Sequence, residues 1–222
     1  MNSSKQPTFK TPATRRGALK LIGGAVGEFP PVAKAKHVTR GPCFVDDGAE
    51  GVRLGVPLTL RLAIRSINAH GNCGPLAGAQ VQLRHANAQG VYSDIGSVSG
   101  QDFLRGHQLT DAAGIVTFIT IYPGWYLWRT VHIHLNVRAF NATGAVTAEA
   151  TTQLFFNDAV SDAVFAGQSA YQRGDSRDTA NSQEDVYSSE DPARLVALTG
   201  DAASGYQGVA SLAIQVGSVF GV

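Results

Sequence analysis

From Pro57 onward apolar and polar residues alternate: Leu58, Leu60, Leu62 and Ile64 are interleaved with Thr59, Arg61, Ala63 and Arg65. A period of two sends the two sets to opposite faces of a strand, so the segment predicts a strand with one buried face. Residues 68–75, with two glycines and a proline, predict a turn, after which Ala79-Gln80-Val81-Gln82-Leu83-Arg84 resumes the alternation. Asp111-Ala112-Ala113-Gly114 predicts a tight turn into the β-rich run Ile115 to Ile121, which stops at Pro123-Gly124. Val131, Ile133, Leu135 and Val137 then alternate with His132, His134, Asn136 and Arg138, and residues 151–156 and 209–216 predict two further strands. The polar stretch 157–204 predicts long surface loops with a helical turn near Asp158 to Ala166. No strong helical period interrupts the centre of the chain. Short strands punctuated by glycine and proline predict an all-β protein, an antiparallel β-sandwich or barrel.

Composition narrows the partners. The chain has 222 residues, 44% of them hydrophobic, enough to bury one sizeable core. Lysine and arginine number 18 against 17 acidic residues, so no large field of one sign favours nucleic acid or an anionic membrane as partner. Ahead of this, residues 1–35 follow a different order: a polar start, Thr14-Arg15-Arg16-Gly17, the short apolar run Leu21 to Gly27, then Ala33-Lys34-Ala35. That order resembles a twin-arginine export signal and predicts a periplasmic or extracellular protein whose mature domain spans 36–222. The apolar run is too short to span a bilayer. The two cysteines, Cys43 and Cys73, are too few and too far apart for a structural zinc site; a disulfide and two separate thiols both remain open.

The chemistry concentrates in Pro123-Gly124-Trp125-Tyr126-Leu127-Trp128-Arg129-Thr130-Val131-His132-Ile133-His134. On a strand, His132 and His134 project from one face roughly 6.5–7 Å apart and can converge on one metal ion. No cysteine lies nearby to make a thiolate site, and no Asp or Glu stands in a matching strand context to complete a two-histidine, one-carboxylate site. Tyrosine is the remaining anionic donor. A phenol ionises only near pH 10 unless a strongly Lewis-acidic ion such as Fe(III) binds it.

Here the sequence resembles the intradiol ring-cleavage dioxygenases, the family that includes protocatechuate 3,4-dioxygenase and catechol 1,2-dioxygenase. The resemblance runs from Gly41-Pro42 to Gln153-Leu154-Phe155-Phe156. It rests on His85, Gly90-Val91-Tyr92, Phe103-Leu104-Arg105-Gly106, Thr110-Asp111, Pro123-Gly124-Trp125-Tyr126, Arg129 and the His-x-His pair, in that order. It implies a β-sandwich in which Tyr92, Tyr126, His132 and His134 bind Fe(III). It also implies a catechol and O2 as small-molecule partners, with Tyr126 acting as both ligand and base toward the substrate. Arg129 is implied to stabilise negative charge developing on the ring, and Gln153 to lie near the substrate oxygens. His85 reads as a core or supporting histidine, and Trp125 and Trp128 as packing around Tyr126. Cys43 and Arg84 depart from the aromatic residues usual in the family at these positions, which bears on pocket lining and substrate preference. Catechol, protocatechuate, hydroxyquinol and lignin-derived catechols all fit the resemblance. Two rivals stand beside it: a non-catalytic exported β-sandwich binding module, and a zinc or copper protein built on the two histidines.

Overall fold

The computed structural model describes residues 54–216, except 69, 71, 94–97, 99–100, 102, 185 and 188–193, together with the backbone of Leu19–Lys20. Apart from those two residues, the leader lies outside the described residues, as does Cys43. Two sheets stack face to face. The first is built on β2 (Pro57–Ile67) and β10 (Gly205–Gln215), which run parallel over the length of β2. Beyond β2 lie β6 (Ile115–Ile121) and the short β3 (Cys73–Pro75); beyond β10 lie β9 (Ala197–Asp201) and β1 (Leu19–Lys20). The second sheet is antiparallel in the order β5 (Arg105–Leu109), β4 (Gln80–Arg84), β7 (His132–Phe140), β8 (Val146–Phe155).

The predicted alternation sets the core. Leu58, Leu60, Leu62 and Ile64 of β2 are fully buried and meet Val81 and Leu83 of β4, Ile133, Leu135 and Val137 of β7, and Leu154 of β8. Each such side chain contributes roughly 1.5–3 kcal/mol through removal from water. Because the odd-numbered residues of β7 point inward, its even-numbered residues, His132 and His134 among them, lie on the other face, where the loops gather.

Three departures from the sequence pattern matter for the site. The predicted turn over 68–75 ends in the short strand β3, which extends the edge beyond β6. The helical turn is a full helix, α1 (Asp158–Gly167), capped by the Asn157 side chain on the amides of Ala159 and Val160. The stretch expected to form surface loops also contains β9 and a buried pair, Asn181 and Glu184.

Two glycines lock the loops that carry the tyrosines. Asn87 Oδ1 accepts from the amides of Gln89 and Val91, closing a turn in which Gly90 has φ 78°. A Cβ on Gly90 would overlap the Trp125 carbonyl, and one on Gly124 would overlap the Asn87 carbonyl. The Gly124 amide donates to that same Asn87 oxygen at 3.2 Å. The segment ending at Tyr92 is thus laid backbone to backbone against the segment leading to Tyr126. Arg173 clamps the pair: Nη1 donates to the carbonyls of Gln89 (3.0 Å) and Trp125 (2.8 Å), and the guanidinium stacks 3.9 Å from the Trp125 ring centre.

Candidate metal centre

The four residues expected to bind metal come together at the start of β7. His132 Nε2 lies 3.3 Å from the Tyr92 hydroxyl, 3.2 Å from the Tyr126 hydroxyl and 3.1 Å from His134 Nε2. The Tyr92 and Tyr126 rings meet edge to face, with centres 5.5 Å apart. Among the described residues no group of three His, Cys, Asp or Glu could hold a metal, and the oxygens beside the two imidazoles are those of the phenols.

The cluster is poorly satisfied by hydrogen bonding alone. His132 Nδ1 donates to the Thr130 carbonyl at 2.7 Å, which leaves a lone pair on Nε2. Two hydroxyls and a second imidazole crowd that single lone pair. A cation bound by all four groups resolves the competition. The Tyr92 and Tyr126 hydroxyls and His134 Nε2 each lie 3.1–3.3 Å from His132 Nε2, close enough together for one ion to be shared among them. The residues fit a compact four-donor metal site.

Electrostatics point the same way. Burial holds His132 down to about 4, with the Thr130 carbonyl opposing and Arg129 assisting; burial and then His132 hold His134 down to about 3. Both rings are neutral at physiological pH, the form that ligates. Burial pushes the Tyr92 phenol far above its ordinary value, and Tyr126 adds to the effect. Burial also raises Tyr126, while the Arg129 guanidinium works against it. Ionising both phenols here therefore needs a strong positive charge within bonding distance.

The surrounding residues have separate duties. Arg129 Nη1 lies 3.4 Å from the Tyr126 hydroxyl, Nη2 donates to Gln153 Oε1 at 2.7 Å, and Nε donates to both oxygens of Glu184, the nearer at 2.8 Å. Gln153 Nε2 in turn lies 3.4 Å from His134 Nδ1. Glu184 also accepts from the Thr130 amide at 3.0 Å, while Asn181 accepts from the Thr130 hydroxyl and donates to the Phe156 carbonyl. Sequence reasoning missed Glu184 and Asn181, because both sit in a stretch whose polarity reads as surface. Trp125 is buried beneath Arg173, as expected. Trp128 is not packed: it is 80% exposed with φ 65°, its amide donating to the Asp178 carboxylate.

His85 is a core residue. Nδ1 donates to the Ala86 carbonyl and Nε2 accepts from the Thr120 hydroxyl, each at 2.8 Å, and burial holds its pKa down to about 4. An unfolded histidine gains its proton near 6.5, so acidification favours the unfolded state from about pH 6.5 down to about pH 4, a penalty of roughly 3 kcal/mol when complete. Denaturant titrations at pH 7 and pH 4.5 should show this loss, and His85→Gln should reduce it. An unchanged pH slope in that variant would contradict the assignment.

Comparison with known proteins places these residues in context. Residues 33–171, more than half of the chain, match the profile of a family described as Dioxygenase. Among curated proteins, chlorocatechol 1,2-dioxygenase from Pseudomonas sp. (strain P51) is 29% identical over 118 residues, covering 45% of this chain. The match spans 43% of that relative, less than half its length. Among solved structures, an intradiol ring-cleavage dioxygenase from Tetranychus urticae aligns with TM-score 0.63 and 27% identity, over 86% of this chain and 92% of its own. The dioxygenase domain of a dioxygenase carbohydrate-binding protein fusion from Streptomyces sp. SirexAA-E aligns with TM-score 0.51 and 25% identity, over 88% and 97%.

Proposed function

Because the chain belongs to the intradiol ring-cleavage dioxygenase family, we propose that it cleaves a catechol between its two hydroxyls with O2, at an Fe(III) held by Tyr92, Tyr126, His132 and His134. The product is a muconate-type dicarboxylic acid. The observation that carries this reading is the convergence of two phenol oxygens and the His134 Nε2 within 3.1–3.3 Å of His132 Nε2. Ferric iron supplies the Lewis acidity that makes phenolate and catecholate accessible near neutral pH.

The two tyrosines have different tasks. Tyr92 is crossed by Tyr126 and lies beneath the Arg84 guanidinium, and it stays a fixed donor. Tyr126 lines an opening shared with Leu127, Trp128, Arg129 and Arg173, so it can leave the cluster as substrate enters. The Tyr126 phenolate oxygen takes one of the two catechol hydroxyl protons, leaving Tyr126 as the neutral phenol and the substrate as its monoanion. Arg129, aimed by Glu184 and Gln153, keeps a positive charge beside that oxygen and beside the ring on which negative charge develops. His132, anchored by the Thr130 carbonyl, keeps its lone pair directed at the cluster throughout.

The proposal includes export through the twin-arginine-like leader. The deciding experiment measures iron content, O2 uptake and ring-opened product with a panel of catechols, on protein from the cytoplasmic and exported fractions. A red, iron-bearing exported protein that gives muconate-type product is the expected result. An iron-free folded protein, or cleavage beside the hydroxyl pair, would sink the catalytic reading; activity confined to the cytoplasm would remove export from it.

A further inference from the structure

The tight turn between Tyr126 and Arg129 holds one residue in a conformation it does not favour. The Arg129 amide donates to the Tyr126 carbonyl at 3.3 Å, which places Leu127 and Trp128 at the two middle positions. Trp128 has φ 65°, and a turn whose third position is left-handed ordinarily has glycine or asparagine there. A tryptophan is strained at such a position, and strain of this kind persists only where surrounding contacts impose it.

Packing does not impose it, because the side chains of Leu127 and Trp128 are both exposed. The constraint comes from Asp178. The Trp128 amide donates to both oxygens of that carboxylate, at 2.9 and 3.2 Å. Asp178 is itself fixed from behind: the Thr179 hydroxyl donates to its Oδ1 at 3.0 Å, the Thr179 carbonyl accepts from Arg177 Nη1 at 2.6 Å, and Arg177 pairs with Asp158 and Asp162 of α1. Both ends of the turn are anchored as well. The Trp125 carbonyl accepts from Arg173, and Glu184 holds Arg129 and the Thr130 amide. The turn is a short span between two fixed points, and it begins at the tyrosine that leaves the cluster when substrate enters.

We propose that Asp178 is a positioning residue that latches this turn and so sets how readily Tyr126 leaves the metal cluster. With the latch closed, Trp128 is held left-handed and the Tyr126 oxygen faces His132. When the amide leaves Asp178, Trp128 relaxes to an ordinary φ, and the shift of the turn carries Tyr126 toward the opening it lines with Leu127, Trp128 and Arg129. Strain released on opening offsets part of the cost of giving up a metal donor, while the Asp178 contact keeps the resting site closed. The inference rests on the dioxygenase reading and names the residue that governs release of its base.

The test uses the iron-loaded full chain as wild type, Asp178→Ala, Trp128→Gly, Trp128→Ala and the Asp178→Ala/Trp128→Gly double variant. For each, the anaerobic dissociation constant for catechol is measured together with the loss of tyrosinate-to-iron absorption on binding. Asp178→Ala removes the latch and should tighten catechol binding by about tenfold, the scale of a hydrogen bond to a charged group. Trp128→Gly removes the strain with the latch intact and should weaken binding by about fivefold or more, the worth of one left-handed non-glycine residue. The double variant should return close to wild type. Trp128→Ala keeps the strain without the indole and should also stay close to wild type. Single variants that shift affinity in the same direction, or alanine and glycine acting alike at 128, would overturn the latch. A chain that takes up no iron would sink the dioxygenase reading separately. The iron-free protein then decides the latch through hydrogen exchange at the Trp128 amide, which should be about tenfold faster in Asp178→Ala; an unchanged rate would overturn it.

Discussion

Tyr126→Phe is expected to lower kcat for catechol cleavage by about 10²–10⁴-fold, the range that a positioned proton acceptor contributes. The substitution keeps the ring and its edge-to-face contact with Tyr92 and removes only the oxygen that faces His132 and Arg129. Iron binding should weaken without vanishing, since three donors remain, and the visible absorption should fall by about the share of one phenolate. Tyr92→Phe offers the contrast. It removes a donor that does not line the opening beside Tyr126, so its loss should fall on iron retention rather than on the proton step. Steady-state O2 uptake at saturating iron separates the two. A Tyr126→Phe enzyme within tenfold of wild type under those conditions would show that Tyr126 is not the base.

The second large effect is expected at Glu184. Its carboxylate is buried and accepts from Arg129 Nε and the Thr130 amide. Glu184→Ala strips both donors of their acceptor. Breaking a buried pair from one side costs about 3–5 kcal/mol; because Arg129 retains 26% exposure, a loss of about 2–3 kcal/mol is the better expectation. Chemical denaturation of the iron-free protein measures it. Burial tends to raise the Glu184 carboxyl, but the hydrogen bonds from Arg129 and Thr130 outweigh it and hold the group below 4.5. Its stabilisation is therefore present above pH 4.5 and disappears as pH falls through the lowered value, so wild type and Glu184→Gln should converge in acid. A constant gap between them from pH 7 to pH 3.5 would refute the assignment. Activity should fall as well, since an unanchored Arg129 no longer stands reliably beside Tyr126.

Much of this architecture is legible in the sequence where one physical signal dominates. Strands β2 and β7 announce themselves because one face of each is fully buried, and the alternation on β7 by itself assigns His132 and His134 to a common face. The edges are harder to read. β5, Arg-Gly-His-Gln-Leu, is half-buried and lacks a clean period, and β9 is largely exposed. Glu184 and Asn181 look like loop residues because their burial is decided by what folds over them, more than fifty positions from Thr130 in the case of each. The cross-strand neighbours of His134, Arg84 on β4 and Gln153 on β8, are hidden for the same reason: they depend on register between strands distant in the chain, which side-chain periodicity within one strand does not encode.

The contact between the Gly90 and Gly124 loops has a consequence for anyone re-engineering the enzyme. The gap between the two phenol-bearing segments is set by main-chain atoms touching main-chain atoms, so it is indifferent to which side chains decorate the rim. Libraries that randomise the exposed positions 89, 91, 127 and 128 should leave the tyrosine spacing intact and explore substrate access freely. A transplant of either loop alone into another scaffold would lose the ruler that spaces its tyrosine, and the two have to be moved as a single cassette.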